Sequence, residues 1–360
     1  MTPAYAELHC LTNFTFLRGA SHPEELVEHA ARLGYSALAI TDECSLTGVV
    51  RAHAAAKEVG LKIVVGAEIA FQKERTRLLP STALRVVLLA MDREGYGNLS
   101  ELITRGRRRA SKGEYRLGRA DLEQGLPGCL ALLLPKAEPD LDDARWLAER
   151  FAGDAWIAAE LLRGADDRAR LEQLERLSKD SGLPLVAAGD VHMHLRARRP
   201  LQDTLTAVRL KHPVAQCGRA LFPNGERHLR RRERLARIYP SELLIETLNV
   251  AERCRFSLDS LRYEYPEEIV PAGTTPTEWL RKLAEEGFRW RFGCELRSEG
   301  AGASSEKRRT PSSLAPPQTA RGWGSHFAAS RQVDIDKARA LVEHELRLIA
   351  ELRYEPYFLT

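Results

Sequence analysis

The chain has 360 residues, 44% of them hydrophobic and 29% charged, with a formal net charge of +4. This is the balance of a folded globular protein long enough for one large core or two domains. It excludes a protein built on membrane-spanning helices, since no apolar run approaches the roughly 20 residues that cross a bilayer, and six scattered cysteines without a Cys-x-x-Cys pair exclude a disulfide framework or zinc knuckle.

The opening residues lack the charged and apolar regions of a signal peptide, so the chain is expected in the cytoplasm. Ser21-His-Pro-Glu24 reads as a capping box with Pro23 in the first turn, and Gly34 ends the helix after residue 33. Residues 36–41 read as a short buried strand, stopped by Asp42. A helix over 47–59 ends at Gly60, and 61–65 is the next strand. Further strands are expected at 85–91, 130–134, 156–161 and 185–188, separated by helices at 96–108, 141–151 and 167–181. This alternation implies an α/β fold with a parallel sheet. So many units favour a closed or nearly closed barrel, whose sites lie at the carboxyl ends of its strands.

From 200 to 260 the chain reads as helical and basic, most densely at 227–237, which includes Arg230, Arg231 and Arg232. A second basic run, 105–109, includes Arg105, Arg107 and Arg108. Each run reads either as a solvated helix face or as a phosphate-contacting surface. Residues 265–276 form a Pro-containing link and a domain boundary, and 279–290 are helical. Residues 297–330 have few large apolar groups and are expected to be disordered. An amphipathic helix over 335–352 follows, and the chain stops inside an apolar segment at 357–360, which reads as a truncation.

Five metal-capable residues fall at expected strand ends: His9, Asp42, Glu68, Asp190 and His192. Singly, each also reads as a cap or a satisfied polar group. Together they would converge at one rim of a barrel, and Asp190 and His192, two apart in an extended segment, share a side. Mixed carboxylate and imidazole ligands suit zinc, manganese or iron, and such a cluster would activate water for phosphoester hydrolysis. His53, His194, His212 and His228 lack this placement, and Asp334 and Asp336 read as charges at a helix start. No phosphate-binding P-loop, dinucleotide fingerprint or nucleophile elbow is present.

These residues resemble the polymerase-and-histidinol-phosphatase (PHP) domain. Ala6-Glu-Leu-His-Cys-Leu-Thr-Asn-Phe-Thr-Phe-Leu-Arg-Gly-Ala-Ser-His-Pro-Glu-Glu-Leu26, Ala187-Ala-Gly-Asp-Val-His-Met-His194 and Pro200-Leu-Gln-Asp-Thr-Leu205 are similar to the error-prone branch of the bacterial C-family DNA polymerases. Arg262-Tyr-Glu-Tyr-Pro266 continues the likeness, and 344–359 is similar to the start of the polymerase palm. The resemblance implies a distorted (β/α)7 PHP barrel over 1–264 and a mainly helical start of the palm at 265–296 and 333–360. An insertion or garbled reading frame occupies 297–332. It further implies an error-prone, DNA-directed DNA polymerase acting in damage-induced mutagenesis and translesion synthesis. Its partners would be template–primer DNA, deoxynucleotides, the sliding clamp and a Y-family-like accessory protein, with Mg2+ for nucleotide addition. The aspartates that hold those ions are expected beyond residue 360, which leaves this chain without polymerase activity.

Metal-binding PHP domains carry His-x-His, Asp-His and a histidine opening the fourth strand. This chain has Leu11, Glu43 and Arg85 there. Leucine cannot ligate and arginine brings positive charge, so the barrel is expected to hold Mn2+, Zn2+ or no metal at all. Two further readings stand beside the polymerase component: a PHP phosphoesterase or 3′–5′ exonuclease, and a metal-free structural or interaction module.

Overall fold

The computed structural model describes residues 2–72, 83–261, 270–292 and 335–359. The motif at 262–266 spans residues outside the described ones, as do the segment 297–330, much of the link at 265–276, Asp334 and the side chain of Asp336. The chain divides into two compact units, Met1–Arg262 and Tyr263–Thr360.

In the first unit seven strands form one sheet in chain order. They are β1 (Ala6–Glu7), β2 (Ala37–Ile40), β3 (Lys62–Phe71), β4 (Leu84–Ala90), β5 (Cys129–Leu134), β6 (Ala155–Ala159) and β7 (Leu185–Ala187). Pairing is parallel from β1 to β3 and from β5 to β7. The expectation of an all-parallel sheet is corrected at β4, which runs antiparallel to both neighbours. An apolar strand buried on both faces reads the same in either direction, so the sequence carried no mark of this reversal. The strand expected at 61–65 continues through Phe71, so Glu68 lies inside β3, opposite Val87, and not at a strand end.

Alternation along the strands separates two buried clusters. Leu38, Ile40, Val65, Ile69, Val86, Leu88, Leu133 and Ile157 pack with the flanking helices. Those helices are α1 (Pro23–Arg32), α2 (Thr47–Val59), α3 (Arg93–Arg108), α4 (Leu141–Arg150) and α5 (Asp167–Ser181). Ala6, Leu8, Ala39, Val64, Leu89, Leu132, Trp156 and Val186 form the other cluster, with Val250, Ala251 and Cys254. The basic stretch from 200 supplies α6 (Arg199–Leu210), α7 (Arg232–Leu235) and α8 (Ser241–Arg253). Only 232–235 of the 227–237 run is helical, because Arg230 and Leu229 turn inward.

The capping box is also shifted by one residue. His22 is the N-cap of α1, with Pro23 at the first helical position, and Glu25 Oε2 accepts from the His22 backbone N at 2.9 Å. Ser21 instead holds His194: its Oγ lies 2.7 Å from Nδ1 and accepts from the His194 backbone N at 2.9 Å.

The sheet closes on itself just past the ends of β1 and β7. Cys10 bridges Val191 in parallel, with Leu11 N donating to Val191 O at 2.8 Å and Val191 N to His9 O at 2.9 Å. This seam sets His9 beside Asp190 and His192.

The second unit holds α9 (Pro276–Phe292), α10 (Ile335–Leu352) and α11 (Glu355–Leu359). Arg281 of α9 pairs with Glu343 of α10 at 2.7 Å, and Phe288 and Leu346 are buried. Leu341, Leu348 and Leu352 lie exposed along α10 at helical spacing.

Candidate metal centre

Glu68 is fully buried and receives cations from three directions. Arg18 donates Nη1 to Oε1 at 3.1 Å and Nη2 to Oε2 at 3.2 Å. Arg85 donates Nε and Nη2 to Oε1 at 3.0 and 2.5 Å. His9 Nε2 lies 3.1 Å from Oε2. Burial opposes ionisation, but the His9 hydrogen bond and the charges of Arg18 and Arg85 hold this carboxyl well below the usual carboxylate range. Arg18 also reaches Glu43 Oε2 at 2.5 Å.

His9 is enclosed by acids on both ring nitrogens. Its Nδ1 lies 2.8 Å from Glu160 Oε1 and 3.8 Å from Asp190 Oδ1. Burial disfavours its charge, yet the hydrogen bonds to Glu160 and Glu68 and the charges of Glu160 and Asp190 lift its pKa to about 10. Asp190 is held by His192 Nε2 at 2.9 Å on Oδ1 and by Arg227 Nε at 2.8 Å from Oδ2. The Arg227 contact lies out of line for a hydrogen bond, so it acts through charge. Burial opposes the charge of Asp190, but Arg227 and His192 keep its pKa depressed. Gly189, just before it, has no room for a side chain: a Cβ there would lie 2.2 Å from Oε2 of buried Glu7, whose Oε1 accepts from Gly189 N.

Asp42 does not join this group. Its Oδ1 accepts from Thr12 N at 2.8 Å and Thr15 Oγ1 at 2.6 Å, and its Oδ2 from Thr12 Oγ1 at 2.8 Å. It therefore fixes the turn that leads to Arg18. Three residues other than glycine adopt left-handed backbone here: Leu17 (φ 58°), Cys44 (φ 47°) and Asp190 (φ 45°). Such conformations persist only where surrounding contacts over-determine them.

Of the five residues singled out from sequence, His9, Glu68, Asp190 and His192 thus meet in one network and Asp42 stands apart. Among the described residues, the group whose ligand atoms all lie within 4.8 Å of one another is His9, Glu160 and Asp190. Glu160 directly follows β6, but the strand expected at 156–161 places it inside a strand, so the strand-end rule passes over it. Arg18 and Arg227 sit in irregular segments and left no periodic signal.

A trinuclear cluster does not fit these residues. Arg18 and Arg85 occupy Glu68, the threonines occupy Asp42, and Leu11 offers no donor atom. A single ion on His9, Glu160 and Asp190 would first have to take the proton from His9 and share Asp190 with Arg227.

The two basic runs separate in the same way. Arg107 donates to the carbonyls of Glu43 and Cys44 and stacks on Tyr115, so it braces the rim loop. Arg105 pairs with Glu101 at 2.7 Å, and Arg108 is exposed. Arg230 is buried, donating to Leu161 O at 2.8 Å, and Arg232 donates to the carbonyls of Leu33 and Pro3. Arg231 is exposed.

Residues 7–173 match the model of the PHP domain. Along nearly its whole length the chain is similar to proteins named error-prone DNA polymerase. That of Dechloromonas aromatica is 53% identical over 363 residues, covering 99% of this chain and 31% of the relative. Those of Methylococcus capsulatus and Pseudomonas aeruginosa are 52% and 51% identical, each over 357 residues, covering 99% of this chain and 30% of the relative. The chain thus spans less than a third of the length of these curated relatives.

Proposed function

We propose, from the premise that this chain belongs to the error-prone DNA polymerases through its PHP-bearing region, that it forms a metal-independent barrel of such an enzyme. In it, guanidinium groups hold an acidic rim together in place of divalent ions. The observation that carries this reading is the double guanidinium clamp of Arg18 and Arg85 on buried Glu68. Two planar cations with several directed donors neutralise a carboxylate as a metal would, but offer no open coordination position and no activated water.

The similarity to the named polymerases supports a reading of the activity of a protein that carries this region. We assign to it nucleotidyl transfer with template–primer DNA and deoxynucleotides, Mg2+ as the catalytic ion, and a role in translesion synthesis and DNA repair in the cytoplasm. A sliding clamp and a Y-family-like accessory protein are its proposed partners. Arg105, Arg108 and Arg231 would offer sequence-independent phosphate contacts, whereas the interior and loop-bracing roles of Arg107, Arg230 and Arg232 argue against a share for them.

The test is elemental analysis of purified protein together with hydrolysis of bis(p-nitrophenyl) phosphate. The expected outcome is no stoichiometric metal, no turnover and a melting temperature unchanged by EDTA. Bound manganese, zinc or iron, with turnover lost in Asp190→Asn, would establish a PHP phosphoesterase or 3′–5′ exonuclease instead.

A further inference from the structure

Away from the acidic network, a groove of about 1150 Å³ opens between the C-terminal turn of α1, the loop after β6, the segment after β7 and residues 228–238. None of His9, Glu68, Glu160, Asp190 and His192 lines it. Its basic groups are Arg163, Arg196, Arg231, Arg234 and Arg237, with no lysine among the described lining residues. Leu33, Leu195, Leu229 and Ile238 give it apolar surface, and Leu195 is 41% exposed.

Local structure brings these arginines together. The backbone N–H groups of Arg234 and Arg237 donate to the carbonyls of Arg231 and Arg234, so the three side chains recur every third residue along one face of the turns around α7. Asp167 accepts from the backbone N of Arg163 and Gly164 at 2.7 and 2.9 Å, which holds Arg163 in left-handed backbone, φ 55°. The second carboxylate on the wall, Glu233, accepts from Thr2 Oγ1 at 3.1 Å. Arg234 is paired with Glu226 at 2.7 Å. Arg163, Arg231 and Arg237 are exposed, and no carboxylate holds any of the three among the described residues.

Guanidinium groups without lysine suit planar partners with two oxygens, a carboxylate or a phosphate. The rest of the wall decides between them. A single nucleic-acid strand is held by stacking its bases on aromatic rings, and no Phe, Tyr or Trp is among the described lining residues. Arginine around exposed leucine is instead the composition of a protein interface. The volume also exceeds the roughly 300–1,000 Å³ of small-molecule sites, which leaves room for a segment of chain. We propose that this groove docks a partner protein through an acidic, amphipathic peptide segment. Asp or Glu side chains of the partner meet Arg163, Arg231 and Arg237, and its aliphatic side chains lie on Leu195 and Ile238. Arg231 then meets a carboxylate in place of a phosphate. Docking here is independent of any metal at the rim.

The experiment is fluorescence anisotropy with the whole protein and short labelled probes of equal length. One is a peptide of Asp, Glu and Leu, the second has Ser for each Leu, and the third is an oligothymidylate of the same net charge. The expected result is binding of the leucine peptide at least about tenfold tighter than of either other probe, the worth of one or two buried aliphatic side chains. The double variant Arg163→Gln/Arg237→Gln should weaken it at least about fivefold, and so should Leu195→Glu, which sets a like charge on the apolar floor. All three positions are exposed, so an unchanged melting temperature shows that each variant is folded. Equal affinity for the serine peptide, tighter binding of oligothymidylate, or an affinity that both variants leave unchanged would overturn the proposal.

Discussion

Position along the chain says little about which arginine is a surface charge. Arg230 and Arg231 are neighbours in one basic run, yet the first is buried against Leu161 and Tyr239 and the second is solvated. Histidines divide similarly. His29 is half-buried, and burial with the nearby charges of Arg32, His194 and His228 lowers its pKa to about 4. Its folded pKa lies below the unfolded value near 6.5, so between these pH values the unfolded chain takes up a proton that the folded chain refuses. Stability from this group is present above pH 6.5 and is lost as pH falls toward 4. Solvent screening at a half-exposed ring limits the effect to about 1 kcal/mol. Urea midpoints measured at pH 7.5, 5.5 and 4.5 should therefore fall less steeply for His29→Gln than for the parent protein. Identical slopes would show that His29 is not the group responsible.

Among single residues, His9, Asp190 and His192 were legible because strand ends in a barrel converge, whatever the details of packing. Asp42 shared the pattern but not the role, since two threonines nearby in the loop claimed its oxygens first. Arg18 was illegible because nothing in the local pattern of a left-handed loop reports what lies across the rim.

Elements were more legible than their directions. The apolar runs that become β2, β4, β5 and β6 stand out in the sequence, and α2 ends at Gly60 in the left-handed conformation that glycine allows. The reversal of β4 was hidden because a doubly buried strand has no polar face to mark its pairing. The seam between the ends of β1 and β7 was equally hidden, since it depends on one bridge between residues far apart in sequence. It also depends on Gly189, where an added Cβ would press on Glu7. Gly189→Ala should cost about 1–3 kcal/mol by forcing that carboxylate from its hydrogen bonds to Gly189 N and His9 N. Chemical denaturation measures the loss. A variant as stable as the parent would mean that the seam gives way without cost.

At the scale of the whole molecule, the first unit contains the entire sheet, both buried clusters and the arginine-clamped rim. A fragment ending at residue 262 should then unfold in a single cooperative step, with a melting temperature within a few degrees of that transition in the 360-residue chain. Calorimetry of the two proteins makes the comparison, and a broad, non-cooperative transition in the fragment would contradict it.

The order of the strands carries a consequence for the history of each molecule. Because every strand pairs with its predecessor in sequence, the sheet can lengthen one strand at a time as the chain leaves the ribosome. The pairing of the two ends of the sheet must wait for the bridge from Cys10 to Val191. Until residue 191 has been made, Glu68 has its arginines but His9 has no Asp190 beside it. The His9–Asp190 side of the acidic rim is therefore joined only once the sheet has closed, well after Glu68 and its arginines have been made.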